Sequence, residues 1–524
     1  MNNMSNIKIL DCTLRDGGYI NNWKFGKKNI DFILNKLDES NVDFVELGYL
    51  DSSSNYSKNE TKYSKLSDVC SLKVKSNKKI CMIDYGKFDI ELIPNQNETD
   101  IFGIRVAFSK DKFLEALQFC KELKQKNYKI FVQPMVTNLY GNEELEILLS
   151  EVNKLKPYAI YIVDSFGSMN ENDVVKLYKK YEEMLDKKIK IGFHSHNNLQ
   201  LAFSNSKNFI ENAQRDIIID SSVYGIGRGA GNLATELIIN YLKSTNRNTY
   251  AISPLLEIVD FYLNELKKEK NWGYCLEYYI SAVMGCHPNY SKFLSEMHTM
   301  TVFDMKKILM EIDDSKKSRF DLDYIKKIYS RYMNRETDDN KSIEILRKKL
   351  KNKKIIILGN GRTILNSVDI IKSNIDDNTI VISVNYNADF CKSNYIFISN
   401  NRRFNELEYN DQLNIVCTSN VDSIGKNTIV FDYLSNLATE YEKSDNALLI
   451  LLNILLKLDV SKVFLAGFDG FNSNGENFYK KEMSYEINAE NAKKTNKMMS
   501  KYLKYYSKKM EIRFLTKSIY EEEI

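Results

Sequence analysis

The first 245 residues alternate short β-branched runs with amphipathic stretches, and the number of those runs constrains the fold more than any other feature. Candidate strands lie at 7–10, 42–48, 79–86, 101–108, 129–136, 159–167, 189–196 and 217–225, with helical patterns such as "KDKFLEALQFCKELKQKN" between most of them. Eight strands separated by helices in about 240 residues is the count of a (β/α)8 TIM barrel. A doubly wound open sheet is the competitor, but it seldom needs eight evenly spaced units.

A chain of 524 residues exceeds one ordinary core, so more than one folding unit is expected. Residues 1–250 read as the barrel and 251–335 as a helical extension broken at "GCHPNY". Residues 336–353 read as a charged linker with one weakly amphipathic helix. The pattern restarts at "KKIIILGNGRTILNSVDIIKS", and further strands at 379–386, 394–399, 427–433 and 462–470 make 354–524 a smaller, Rossmann-like α/β domain.

Charge narrows the partners. The 74 basic and 70 acidic residues are spread along the chain, without the basic face that gathers a phosphate backbone, so nucleic acid is not indicated. The longest apolar run, "ALLILLNILL" at 447–456, is too short to span a bilayer and reads as a core helix. Eight cysteines without Cys-x-x-Cys spacing fit reduced thiols, and a cytoplasmic location is the expectation.

In a barrel, the reactive end is where strands stop and βα loops begin. Arg15 and Asp16 are read as ending the first strand, Glu46 the second, and "HSH" the seventh. His194 and His196 are two apart, so both imidazoles point to one face. With one carboxylate they make a facial triad with open positions, suited to Mn²⁺, Mg²⁺, Fe²⁺ or Zn²⁺, and Asp16 is the obvious third member. Packing alone would also account for a His-x-His pair, but the chain has only four histidines.

Arg15 either pairs structurally with Glu46 or stabilises an oxyanion, and the two roles are compatible. Gly17 and Gly18 are expected to let backbone approach a ligand. The turn "YGIGRGAGN" at 224–232 either cradles a phosphate or simply turns tightly. Arg228 in it is a candidate substrate contact, and Asn232 an additional oxygen ligand or its orienter.

"TLRDGG", "VELG", "GFHSHNNLQLAFSNS" and "GIGRGAGNLATELI" together resemble the DRE-TIM metallolyase superfamily over roughly residues 5–295, with the 4-hydroxy-2-oxoacid aldolases nearest. The resemblance implies a divalent ion, Mn²⁺ foremost with Mg²⁺ or Zn²⁺ as substitutes, on Asp16, His194 and His196. It also implies enolate stabilisation by Arg15, substrate contact by Ser165, a late tyrosine at Tyr290, and a 2-oxo acid and an aldehyde as reactants. Those aldolases carry a histidine base three residues after the aspartate, where this chain has Tyr19. Tyrosine titrates about three units above histidine, so Tyr19 as donor or shuttle, a metal-bound water, or His287 from the helical segment are the alternatives. Claisen condensation of an acyl-CoA is the runner-up within barrel chemistry, and a barrel without activity that serves as a scaffold is a third reading. Assembly into a homo-oligomer is left open.

"IIILGNGRTI", "ISVNY", "YIFISNNRRF" and "VFLAGFDGF" are similar to bacterial sialyltransferases and motility-accessory glycosyltransferase-like proteins. A strand turning into a helix explains the glycines equally well. The resemblance implies a nucleotide or nucleotide-sugar held by Gly359, Asn360, Gly361 and Asn385, with Asp469 nearby. A protein whose main activity is glycan transfer by this domain is the cross-class alternative.

Overall fold

The computed structural model describes residues 6–523 except 73, 75–77, 246–249, 298, 409–411, 423–424, 426, 442–443, 474–476 and 484–486. Two units emerge, one of Met1–Phe293 with Ile312–Asp321 and one of Leu294–Glu311 with Leu322–Ile524.

The first unit is a closed parallel barrel. Its strands are β1 (Ile7–Asp11), β2 (Phe44–Leu50), β4 (Lys78–Asp84), β5 (Gly103–Phe108), β6 (Lys129–Pro134), β7 (Ala159–Asp164), β8 (Lys190–Ser195) and β9 (Ile217–Ser221), with the short β3 (Lys62–Tyr63) outside the ring on β2. Pairing of β1 with both β9 and β2 closes it. The eight-strand expectation holds, and the open sheet is excluded for this unit.

The alternation along each strand sorts side chains into two cores. Leu10, Phe44, Ile80, Phe131, Tyr161 and Ile218 fill the interior. Their sequence neighbours pack outward against the helices. Helix Asn142–Leu155 shows why these helices form. Leu145, Leu148, Leu149, Val152 and Leu155 recur on one face, and Glu144 reaches back to the Gly141 N–H at 2.7 Å.

One irregularity shapes the mouth of the barrel. Phe44 and Glu46 face inward, and so does Tyr49, which strict alternation would turn outward. The register against β4 slips between Glu46 and Tyr49, and Gly48 sits in the slip at φ +145°. A Cβ there would lie 1.9 Å from the Thr61 carbonyl oxygen and 2.8 Å from the Tyr63 ring. Gly48→Ala is therefore expected to destabilise the barrel by about 2–4 kcal/mol. Urea denaturation followed by tryptophan fluorescence checks this, because Trp23 and Trp272 both belong to the barrel unit.

The second unit is a seven-stranded parallel sheet of order β14-β13-β12-β11-β10-β15-β16. The strands are β10 (Lys354–Leu358), β11 (Thr379–Val384), β12 (Tyr395–Ile398), β13 (Ile415–Thr418), β14 (Thr428–Phe431), β15 (Lys462–Ala466) and β16 (Glu511–Phe514). The order reverses between β10 and β15. Helix Ala447–Lys457, formed by the long apolar run, is buried along most of its length. Helix Asp339–Leu350 occupies most of the charged 336–353 stretch and buries Leu346 and Leu350. Among the described residues no helix is long and apolar enough to cross a membrane, and all eight cysteines are unpaired thiols.

Candidate functional site

β1 stops at Asp11, one residue past the run 7–10, and Arg15 and Asp16, read as ending that strand, lie on the helical turn Thr13–Asp16 that follows it. Glu46 likewise sits within β2 rather than at its end, because Gly48 lets the strand continue past it. The turn folds Arg15 and Asp16 over the barrel mouth, where both are buried.

There Asp16 meets the two histidines of β8 and its loop. Asp16 Oδ1 accepts from Arg15 Nη1 at 2.8 Å. Its Oδ2 is buried without a hydrogen-bond partner and lies 3.9 Å from both His194 Nε2 and His196 Nε2. The Arg15 guanidinium holds the Asp16 carboxyl far below the usual carboxylate range, against the penalty of burial.

The tautomers follow from what the other ring nitrogens touch. His196 Nδ1 lies 3.3 Å from the Gly231 carbonyl oxygen, which can only accept, so Nδ1 carries the proton. Burial draws the His196 pKa down to about 3, which keeps the ring neutral. His194 Nδ1 lies 2.9 Å from Asp220 Oδ2, an ionised acceptor, so there too Nδ1 carries a proton. Both Nε2 atoms therefore face an unpartnered carboxylate oxygen. The three donors lie within 4.8 Å of one another, and the 3.9 Å from Oδ2 to each Nε2 is less than twice a metal–ligand bond of about 2.1 Å. These three residues form a buried acidic and imidazole cluster that fits a divalent ion.

Asn232 joins the cluster from the β9 loop. It bridges His196, its Nδ2 donates to the Ile226 carbonyl at 3.1 Å, and its Oδ1 is buried without a partner. Gly227 makes this approach possible, because a Cβ there would fall 2.3 Å from Asn232 Nδ2 and 3.1 Å from Asp16 Oδ2.

Beneath the cluster runs a charged layer that sequence reasoning missed. Arg105 of β5 is fully buried, paired with Asp220 and, at 3.2 Å, with Glu46, and lies 4.7 Å from the Tyr161 ring centroid. Glu46 in turn accepts from Arg15 Nε at 2.7 Å. The chain His194–Asp220–Arg105–Glu46–Arg15–Asp16 thus returns to the cluster it supports. The available signal was a lone charge in each of the apolar runs "GIRVAF" and "IIIDSS", at inward-facing positions.

The remaining candidates divide. Arg228 stacks 5.7 Å from the Tyr19 ring centroid and donates to the Ser165 carbonyl at 3.2 Å, while Ser165 Oγ accepts from the Val136 N–H at 3.0 Å. Tyr19 is 38% exposed, and its hydroxyl lies 3.0 Å from that of Tyr49. Gly17 and Gly18 are closely packed. A Cβ would meet the Thr13 carbonyl oxygen at 2.3 Å in the first case and the Trp23 indole at 2.1 Å in the second. Tyr290 is not brought into the cluster, and its buried hydroxyl is taken up by the backbone of Lys316, Arg319 and Asp321. His287 packs edge-on against Phe166.

In the second unit, Gly359 and Gly361 let the β10 turn press against the β15 turn, where a Cβ at Gly361 would lie 2.4 Å from Asp469 Oδ1. These turns line a crevice with Asn360, Asn385, Arg403 and Asn446. Asn360 Oδ1 accepts from the Lys480 N–H at 3.1 Å, and Asp469 accepts from the Thr363 N–H at 2.8 Å. Asn385 is left-handed at φ +70°, with its Oδ1 buried and unpartnered.

Comparison with known proteins adds a family to this geometry. Residues 6–261 match the HMGL-like family model. The chain is 27% identical over 267 residues to the 4-hydroxy-2-oxovalerate aldolase of Geobacillus genomosp. 3, covering 48% of this chain and 78% of that protein. It is 24% identical over 346 residues to the enzyme of the same name from Pelotomaculum thermopropionicum, covering 61% and 94%. The carboxyl transferase domain of Rhizobium etli pyruvate carboxylase with 3-bromopyruvate shares the fold, at 12% identity and TM-score 0.50 over 66% of this chain and 65% of that one.

Proposed function

We propose that the barrel, whose residues 6–261 carry the HMGL-like match, is a divalent-metal-dependent lyase that cleaves or forms the C3–C4 bond of a 4-hydroxy-2-oxo acid. The observation that carries this reading is the unpartnered Asp16 Oδ2 between two imidazole Nε2 atoms. Asp16, His194 and His196 would hold the ion, Mn²⁺ by preference, and Asn232 Oδ1 offers a further oxygen. Bound there, the ion supplies Lewis-acid polarisation of a 2-oxo acid's keto oxygen.

The chain's own groups do the rest. Arg15 is held by Glu46 and Asp16 through two of its five N–H donors, and the others are available to an enolate oxygen. Arg228, fixed by the Ser165 carbonyl, adds positive charge at the same mouth and suits a substrate carboxylate. Similarity to 4-hydroxy-2-oxovalerate aldolases supports a 2-oxo acid and an aldehyde as the reacting pair.

The purified chain, given a panel of 4-hydroxy-2-oxo acids, is expected to release pyruvate with Mn²⁺ and to stop in EDTA. Release that is unchanged by EDTA contradicts the reading.

A second reading concerns the other domain, and we infer that its crevice takes a nucleotide or nucleotide-sugar. It lies at the carboxyl ends of β10 and β15, where the strand order reverses, the customary ligand position in open parallel sheets. The unpartnered Asn385 Oδ1 supports it, as an acceptor for a base or sugar donor. Titration with cytidine nucleotides is expected to show saturable binding that weakens about tenfold or more in Asn385→Ala. Heat signals identical for the variant and the wild type contradict it.

A further inference from the structure

Cleavage needs a base for the hydroxyl next to the broken bond, and the sequence candidates are engaged otherwise. The Tyr19 hydroxyl shares a hydrogen bond with Tyr49, and burial raises its pKa further from neutrality. His287 Nδ1 accepts the Asn289 N–H at 3.2 Å, so its neutral ring carries the proton on Nε2 and can only donate from there. Burial and the Arg228 charge lower the His287 pKa to about 3, which keeps it in that form. Glu46 is held by two arginines.

We propose that Asp84, the last residue of β4, is the proton-transfer group of this site. The assignment rests on the aldolase reading above. Ile80, Met82 and Asp84 follow one another on the inward side of β4, with Ile80 in the interior core and Met82 against Tyr49 and Ala107 at the mouth. The alternation therefore delivers the Asp84 carboxylate to the end of the barrel that carries Asp16 and the histidines. Charged and titratable neighbours around it are Arg15, Arg228, Lys87, Asp51, Tyr19 and Tyr49.

What separates Asp84 from the other acids of the mouth is that it is unclaimed. Asp16, Glu46 and Asp220 are each paired with an arginine. Among the described residues the Asp84 side chain makes no ion pair and no hydrogen bond. Burial raises its pKa, while Arg15 and Arg228 work against that rise. A carboxylate in that state is a stronger base than an exposed one.

The step balances without another reactant. Asp84 takes the C4 hydroxyl proton, the C4–O bond becomes a carbonyl, and C3–C4 breaks with its electron pair passing to C3. The aldehyde leaves, and the Asp84 acid returns the proton to C3 of the enolate, giving pyruvate and restoring the carboxylate. In synthesis the same proton goes to the aldehyde oxygen.

The test uses the full chain loaded with Mn²⁺. Asp84→Asn is expected to lower pyruvate release by about 10²–10⁴-fold while Mn²⁺ affinity stays within about twofold of wild type. Asp84→Ala is expected to regain turnover as formate is added, which no purely structural role would produce. Turnover of Asp84→Asn within about threefold of wild type overturns the assignment. Should that variant not fold, Asp84→Ala decides, and a rate that stays flat in formate overturns the assignment as well. A wild-type chain inactive on the whole substrate panel instead overturns the aldolase reading, and this assignment falls with it.

Discussion

Asp16→Asn is expected to lower Mn²⁺ affinity by at least about 10²-fold and pyruvate release by at least about 10³-fold. Asparagine keeps the shape but removes the charge of Oδ2, the one atom that lies 3.9 Å from both His194 Nε2 and His196 Nε2. Some stability is lost as well, because the Arg15 Nη1 bond to Asp16 Oδ1 then ends on a neutral amide oxygen, whereas Oδ2 has no partner to lose. Arg15 keeps its bond to Glu46. Calorimetric titration with Mn²⁺ and thermal melting of the same samples separate the two effects. A folded variant that binds Mn²⁺ like the wild type contradicts this account of Asp16.

Arg105→Leu is expected to do the reverse and damage the fold first. Arg105 is fully buried between Glu46 and Asp220, and its removal leaves two carboxylates in the barrel interior facing no cation from β5. Breaking a buried ion network in this way costs about 3–5 kcal/mol. The triple variant Arg105→Leu, Glu46→Gln, Asp220→Asn is expected to recover part of that loss, since neutral amides need no guanidinium. It does not recover metal affinity, because the Asp220 carboxylate that fixes the His194 ring is gone, and a loss of about 10–100-fold is expected. Urea denaturation read by tryptophan fluorescence, beside the Mn²⁺ titration, checks both. An Arg105→Leu barrel as stable as wild type contradicts the role given to the charged layer.

The barrel was legible because its eight strands are apolar runs bounded by turn residues, most of them separated by a helix of clear period. The second sheet was less so. β13 is four residues long, and β16 is an edge strand whose "EIRF" alternates charged and apolar residues. Neither produces a run long enough to stand out from a loop.

The metal cluster was legible for a similar local reason, since a His-x-His pair on a strand fixes the geometry of two donors at once. Arg15 and Asp16 were assigned to a strand end because an apolar run precedes them, whereas the chain leaves β1 at Asp11 and turns. The Gly48 slip, which brings Glu46 and Tyr49 to the same side, depends on the contact with Thr61 and has no signature in β2 alone. Asp84, Arg105 and Asp220 were overlooked because one charge in an apolar run becomes meaningful only when the neighbouring strands are known.

The central claim is a place for one cation, and an anomalous-scattering map of crystals soaked in Mn²⁺ tests it most directly. The account predicts one strong peak at the barrel mouth within about 2.0–2.3 Å of Asp16 Oδ2, His194 Nε2 and His196 Nε2. A peak bound elsewhere in the chain, or no peak at a concentration that supports turnover, would contradict it.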